Sequence, residues 1–506
     1  MNPTRRDLAG MSVSALALGA FAGLAGLEGS GVRPATAAPR TELSSYDALG
    51  LAQLIRTNQI TAAEAVEDVI RKIEAVNPKL NAVIYTTYER ARRRVNEGVG
   101  TGSFAGVPIL VKDNATIAGV RLARGSRAFR DNKPEKTAPF LDAIERAGFV
   151  LVGVTNMPEL GIIDGTENVL YGPTRNPWNL EYSPGGSSGG SAACVAAGVL
   201  PLAHGTDGGG SIRIPASQCA LFGLKASRGR LLSGGFGAPP WPRLVEAGLS
   251  RTVRDTAMYL SVAEDPNTSL PKLGFVSAKA PRRLKIALSL EGAGGQTPDP
   301  QVRAAIADTA SLCSELGHAV SEQKLPLDQP RLHAAAKQVA SIGVAKLVDA
   351  SAKAQGLTRL EDGFEARAIG VREEAIRNGP FDAQLAEALP ILKDGTAALD
   401  RFFQEWDVLL TPVVRAPVYK IGMRDQAKFS FQELEEILRD YVAYAALHNI
   451  CGTTAMSLPL HWDSAGLPLG SQFAARIGGE ATLLSLAYEL EEARPWARKR
   501  PGIFVN

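Results

Sequence analysis

The sequence predicts an α/β fold in which a mixed or parallel β-sheet is covered by helices on both faces. Three observations carry this. Strand-like, largely apolar runs recur at 107–111, 150–154 and 284–288, and such runs suit strands of a covered sheet. Segments with apolar residues at helical spacing lie between them, and such alternation builds layered α/β sheets. The chain has 506 residues, 45% of them hydrophobic and 21% charged, enough to bury a large core as one domain or two.

The first segment is of a different kind. Arg5 and Arg6 stand between Thr4 and Asp7, ahead of a weakly apolar stretch over 9–27, and Ala35, Thr36 and Ala37 offer small residues before Ala38. This is the layout of a bacterial twin-arginine export signal. Residues 1–37 are expected to be a cleaved signal read by the twin-arginine translocase. Residues 38–506 are then the folded domain, placed in the periplasm or secreted. No cysteine stands at the cleavage site to carry a lipid. Removing 1–37 takes away three arginines and two acids, so the net charge of +3 becomes +2. With no long basic run, that charge leaves no footprint for nucleic acid.

Thr61 and Glu64 make a capping-box signature that opens a helix to about residue 76. Ala65, Val66, Val69, Ile70 and Ile73 fall on one face of it. The arginines over 90–94 interleave with Tyr88, Ala91 and Val95 at helical spacing and read as a solvated helix face. The strand at 107–111 ends in Lys112, and a second strand follows at 150–154. From 266 to 283 the chain is a proline- and lysine-bearing connection, and the strand at 284–288 follows it. Residues 300–440 read as mainly helical, with helices expected at 302–316, 331–354, 383–406 and 431–449. No internal repeat is evident.

The chemistry lies in two glycine-serine tracts. The first runs from Gly185 to Ser191 with Ser187 and Ser188 at its centre, and the second covers 205–213; Ser187 and Ser211 lie 24 residues apart. Single tracts of this composition are commonly linkers. These two are flanked by apolar sequence, and Asp207 and Arg213 bracket the second with opposite charges able to pin a loop. Neither tract has the Gly-Lys-Ser/Thr ending of a phosphate loop. A serine hydroxyl needs a neighbouring base. A lysine walled by apolar residues such as Ile109, Leu110 and Val111 can be that base, because burial disfavours its charged form. Consecutive N–H groups at Gly208, Gly209, Gly210 and Ser211 can line an oxyanion hole. Ser188 and Ser191 are expected to bond either loop backbone or the lysine.

These pieces, taken together, resemble the amidase signature family of serine hydrolases. The matching residues are Ala105-Gly106-Val107-Pro108 with Val111-Lys112-Asp113, then Thr155-Asn156-Met157-Pro158-Glu159, then Tyr171-Gly172-Pro173-Thr174-Arg175-Asn176-Pro177-Trp178. The two tracts and Phe222-Gly223-Leu224-Lys225 follow in order. The strong resemblance covers about 105–230, with weaker echoes at 77–82, 407–412 and 457–460. It implies a single large mixed sheet wrapped by helices, with 300–440 shaping a substrate funnel. It also implies Ser211 as nucleophile, Ser187 as a bridging serine after a cis peptide bond, and Lys112 as general base. Ser188, Asp207 and Arg213 take supporting roles. Gly208 departs from the bulkier residue often found there, which alters the apolar lining beside the site and leaves the N–H in place.

The implied activity is hydrolysis of a carboxylic amide through an acyl-enzyme, with no cofactor and no metal. The five histidines, His204, His318, His333, His448 and His461, have no metal-ligand spacing. The substrates implied are linear or cyclic amides, aryl acylamides, amidated peptides or nylon-type oligomers, and the Gly208 loop is similar to that of hydrolases of the 6-aminohexanoate cyclic dimer. Trp241, Phe236, Pro239 and Pro240 are candidates for an acyl pocket. Two other readings stand beside this one. Gly185-Gly186-Ser187-Ser188-Gly189 also fits the Gly-x-Ser-x-Gly elbow of an α/β-hydrolase esterase, with His448 or His461 as its base. A silent scaffold subunit is the other, and the family also holds a subunit of a transfer-RNA amidotransferase, which an export signal disfavours. Cys194 and Cys219, of four cysteines, read as small core residues, and oligomeric state is not encoded in these features.

Overall fold

A computed structural model describes residues 40–235 and 240–506. The twin-arginine segment, Phe236 and Pro239 lie outside the described residues.

Among these residues, eleven strands form two sheets. In chain order they are β1 (Val83–Thr86), β2 (Pro108–Lys112), β3 (Val150–Thr155), β4 (Leu202–Asp207), β5 (Phe222–Lys225), β6 (Val245–Ser250), β7 (Lys285–Leu288), β8 (Ala319–Glu322), β9 (Val408–Pro412), β10 (Thr454–Trp462) and β11 (Pro468–Ala475). Eight make the large sheet, in the order β4-β6-β5-β10-β11-β9-β7-β8. It is mixed: β7 runs parallel to both β8 and β9, and the other pairs are antiparallel. The remaining three strands form their own sheet, β1-β3-β2, beside it. The single large mixed sheet that was expected is present, and the strand that ends in Lys112 belongs to the small sheet beside it. The two sheets meet where the Lys112 backbone N–H at the end of β2 donates to the imidazole of His204 on β4.

Period-two alternation explains how both faces of the large sheet are covered. Ala287, Leu409, Ala455 and Ala474 face a cluster that includes the helices Gln329–Gln355 and Phe381–Glu405. Their neighbours Ile286, Val408, Leu410, Met456 and Phe473 face the opposite cluster, with the helices Pro300–Glu315 and Glu480–Ala493. Val302, Ile306, Leu483, Leu484 and Leu490 supply the helical side of that core.

The capping box at Thr61 and Glu64 is formed, and its helix spans Ala62–Leu80. Ala65, Val66, Val69, Ile70 and Ile73 are buried as the spacing requires. It outlasts the expected end near residue 76 and passes through Pro78. Asn81, left-handed at φ 49°, closes it, while the Asn77 side chain accepts from the N–H groups of Ala82 and Val83. The arginine-rich segment forms the helix Tyr88–Glu97, with Ala91 on its buried side. Two expectations in the later half need correction. The segment 431–449 is divided into Phe431–Tyr441 and the short Leu447–Ile450, and a helix over Ala366–Arg377 was not foreseen. No helix among the described residues is long and apolar enough to cross a membrane.

Candidate active site

Lys112 ends β2, whose five residues are all buried. The lysine is 1% exposed. Burial pushes its ammonium from the ordinary 10.5 down to about 7, against the opposing pull of Glu246 and Asp207. Its Nζ lies 2.7 Å from Ser187 Oγ and donates to Thr206 Oγ1 at 2.9 Å. An amine holding both contacts can keep its lone pair for a hydroxyl proton once it is neutral.

The first tract is threaded through a frame of loops, and the motif residues before it build that frame. Asn176 donates to the carbonyls of Ser183 and Gln218, and the Trp178 indole donates to the Cys219 carbonyl. Asn156 donates to the Gly172 carbonyl and to Thr174 Oγ1. Gly190 passes so close to Asn156 that a Cβ there would fall 2.5 Å from its backbone nitrogen, a distance no side chain tolerates. The Gly186–Ser187 peptide bond is cis. Ser188 Oγ donates to the Thr206 carbonyl, and Ser191 Oγ to the His204 carbonyl. Both serines bond backbone, and neither bonds the lysine.

The second tract leaves β4 at Asp207 and is pinned by the charge pair. Arg213 Nε and Nη2 donate to the two Asp207 oxygens, each at 3.0 Å, with both side chains 0% exposed. Arg213 also donates to the Ala445 carbonyl, Gln472 Oε1 and Asn449 Oδ1. Burial would raise the Asp207 carboxyl, but Arg213, Lys225 and Asn449 outweigh it and hold it below the ordinary carboxylate range. One member of the expected oxyanion hole needs correction. Gly210, at φ 123°, turns its N–H onto Asp207 Oδ1 at 2.7 Å, so it is committed to the loop. No hydrogen bond between described residues uses the N–H of Gly208, Gly209 or Ser211. Ser211 is half-buried, and its carbonyl accepts from Ser188 N–H at 3.2 Å, joining the two tracts. The structure thus puts Lys112 and Ser187 in direct contact and brings Ser211 alongside through backbone.

Sequence reasoning missed four side chains here. Thr206 accepts from Lys112 and from Asn114 Nδ2, and His204 bonds both the Lys112 backbone and Glu246. Asn114 is two residues beyond the lysine and within reach of inspection; Glu246 arrives from β6, and no spacing announces it. The histidines of the elbow reading lie elsewhere. His448 bonds Thr453, with burial and then Arg213 pushing it well below its ordinary value. His461 bonds Thr309. Neither is hydrogen-bonded to Ser187. Trp241 donates to the Ile450 carbonyl beneath the Arg228 guanidinium, a packing role, and Pro240 is exposed. All four cysteines are buried and free. Among the described residues no group of three or more His, Cys, Asp or Glu is placed to hold a metal.

The sequence model of the Amidase family matches residues 64–484. The chain belongs to the amidase family. Its relatives agree along their length. A Mycobacterium leprae protein named AmiC is 38% identical over 463 residues, which cover 91% of this chain and 97% of that one. The 6-aminohexanoate-cyclic-dimer hydrolase of Paenarthrobacter ureafaciens is 33% identical, over 90% of this chain and 96% of that enzyme. A solved structure of 6-aminohexanoate cyclic dimer hydrolase has a TM-score of 0.82 at 31% identity, covering 91% of this chain and 99% of that one. This amidase is therefore a hydrolase of carbon–nitrogen amide bonds, built on the large mixed sheet of its family.

Proposed function

We propose that this amidase cleaves a small carboxylic amide through an acyl-enzyme on Ser211, with Ser187 as proton bridge and Lys112 as general base. The observation that carries the reading is the 2.7 Å contact between a fully buried lysine and Ser187, on a loop bonded to that of Ser211. Ser211 Oγ attacks the amide carbonyl while its proton passes to Ser187, whose own proton passes to Lys112 Nζ. The oxyanion takes hydrogen bonds from the N–H groups of Gly208, Gly209 and Ser211. Lys112 returns its proton through Ser187 to the leaving nitrogen, the amine departs, and water repeats the cycle on the ester. An activated Ser211 reacts covalently with a fluorophosphonate. Ser211→Ala is expected to abolish labelling and turnover with the fold retained. Mass spectrometry finding the probe on Ser187 instead would return the elbow reading.

The loop and the relatives support a choice of substrates to test. Gly208 lacks a side chain where a Cβ would stand 3.1 Å from Leu244 Cδ1, and Leu244 is 39% exposed. The partly exposed Leu244 beside a bare Gly208 offers an apolar surface next to the loop of Ser211, which suits an apolar acyl chain. Cyclic and linear oligomers of 6-aminohexanoate are the first amides to assay, given the relatives that act on that cyclic dimer, and aryl acylamides the next. The proposed setting is outside the cytoplasm, after export by the twin-arginine translocase. Mature protein is expected to begin near Ala38, and changing Arg5 and Arg6 to lysine is expected to trap the precursor. N-terminal sequencing of protein from each compartment decides this, and finding only full-length chain in the cytosol would end the export reading.

A further inference from the structure

Behind the lysine stands a pair of titratable groups with no part in the steps above. On β4 and β6, Thr206 lies opposite Glu246 and His204 opposite Gly248. Residues two apart share a face of a strand, and opposed residues of a pair share it too. His204, Thr206 and Glu246 therefore form one row facing β2, and all three are buried. Lys112 meets this row twice. Its Nζ donates to Thr206 Oγ1, and its backbone N–H donates to His204 Nδ1 at 3.2 Å. An Nδ1 that accepts carries no proton, so the ring is neutral and its N–H is on Nε2, against Glu246 Oε2. The other carboxylate oxygen, Oε1, is buried with no hydrogen-bond donor among the described residues.

The charge around Lys112 is therefore uneven. Asp207, from β4, is matched by Arg213. Asp113 turns away and accepts from the N–H groups of Ala123 and Gly125. Tyr259, from the helix Val253–Val262, is buried with a hydroxyl that has no hydrogen-bond partner among the described residues. That leaves Glu246 as the carboxylate facing the lysine without a cation of its own. Amide cleavage makes an ammonium in this wall at each acyl transfer, and an uncompensated ammonium in an apolar site is costly.

We propose that Glu246, oriented by neutral His204, is the counter-charge for Lys112. The pair holds the end of β2 in place and stabilises the ammonium formed when the lysine takes the Ser187 proton. This rests on the assignment of Lys112 as base, and both residues are positioning residues that do not touch substrate.

The test needs no knowledge of the natural amide: the rate of Ser211 labelling by a fluorophosphonate is followed against pH. In the wild type, labelling rises with pH as the lysine loses its proton. Glu246→Gln keeps an oxygen for the imidazole N–H and removes the charge. The midpoint of the rise is expected to fall by about one pH unit, and the plateau rate about tenfold. Glu246→Asp, which keeps the charge, is expected to keep a midpoint near that of the wild type. An unmoved midpoint and unchanged plateau in Glu246→Gln, with only a lower melting temperature, would overturn the inference and leave the pair a packing role. Should that variant not fold, His204→Gln carries the test: a plateau loss of about fivefold or more supports it, and a rate within about twofold of wild type overturns it. Wild-type protein that labels at no pH overturns the assignment of the base itself, and the inference with it.

Discussion

Lys112 is a cation placed where a cation is least stable, and the sign of that cost can be worked out. The folded lysine titrates at about 7 against an ordinary 10.5. Below pH 7 both folded and unfolded chains carry the charge, and the folded state bears the whole desolvation penalty. As pH rises to 10.5 the unfolded chain still holds a proton that the folded one has lost, so stability climbs and the penalty fades. Lys112→Met is thus expected to melt higher than wild type at pH 6, with the gap closing toward pH 10. Its amide turnover is expected to fall by about 10²–10⁴-fold under the proposed mechanism. Thermal melts and rate profiles over the same pH range check both, and a gap that widens with pH would contradict the burial argument. At this scale the sequence was unevenly legible. A lysine closing an apolar strand and serines in glycine tracts are local patterns. His204 looked scattered among five histidines because its partners, the Lys112 backbone and Glu246, are 92 and 42 residues away.

At the scale of elements, two carboxyls join the signature loops to the helical half. Glu159, in the turn before Gly161, accepts from Ser126 Oγ and from the N–H of Glu365, which begins the helix Ala366–Arg377. Glu365 in turn accepts from the Val169 N–H. Burial, reinforced by the Glu365 charge, raises Glu159 from 4.5 to about 8, and burial raises Glu365 to about 7. A raised carboxyl contributes stability that is complete where both states hold the proton and is lost as pH rises through the folded value. Between pH 4.5 and 8 the unfolded chain has lost a proton that the folded one keeps, so stability falls as pH rises across that window. Glu159→Gln is expected to flatten the dependence of melting temperature on pH there, with a gain of about 1 kcal/mol or more near pH 8. An unchanged slope would mean that the carboxyl ionises freely. This junction was not readable in advance. The long apolar-periodic helices of 300–440 announced themselves, whereas Ala366–Arg377 is short and polar, and its place depends on a carboxyl some 200 residues earlier. Pro78 misled in the opposite sense, since a proline ordinarily marks an end, and here Asn77 and Asn81 rebuild the helix terminus around it.

At the scale of the molecule, the loop that carries Ser211 is closed by residues from much later in the chain. Arg213 reaches Ala445, Asn449 and Gln472, and Asn449 donates to both the carbonyl and the carboxylate of Asp207. The last residues also return to the centre, where Ile503 and Val505 donate their N–H groups to the carbonyls of Pro177 and Ala197. Asn449→Ala leaves buried charged groups short of partners and is expected to cost about 2–4 kcal/mol in urea unfolding; a loss under about 0.5 kcal/mol would show that the clamp holds without it. The α/β class and several strands were visible in composition and periodicity. The pairing of β5 with β10 was not, because it sets Lys225 against Ala455, far apart along the chain, and their apolar runs look like those of other strands. The Arg213 clamp also sets a timetable. A ribosome delivers the serines, the lysine and the aspartate early, but Gln472 follows Arg213 by 259 residues. The growing chain therefore carries Lys112, Ser187 and Ser211 through all of that interval with their loop unclosed, and the clamp is complete only once β11 has been delivered.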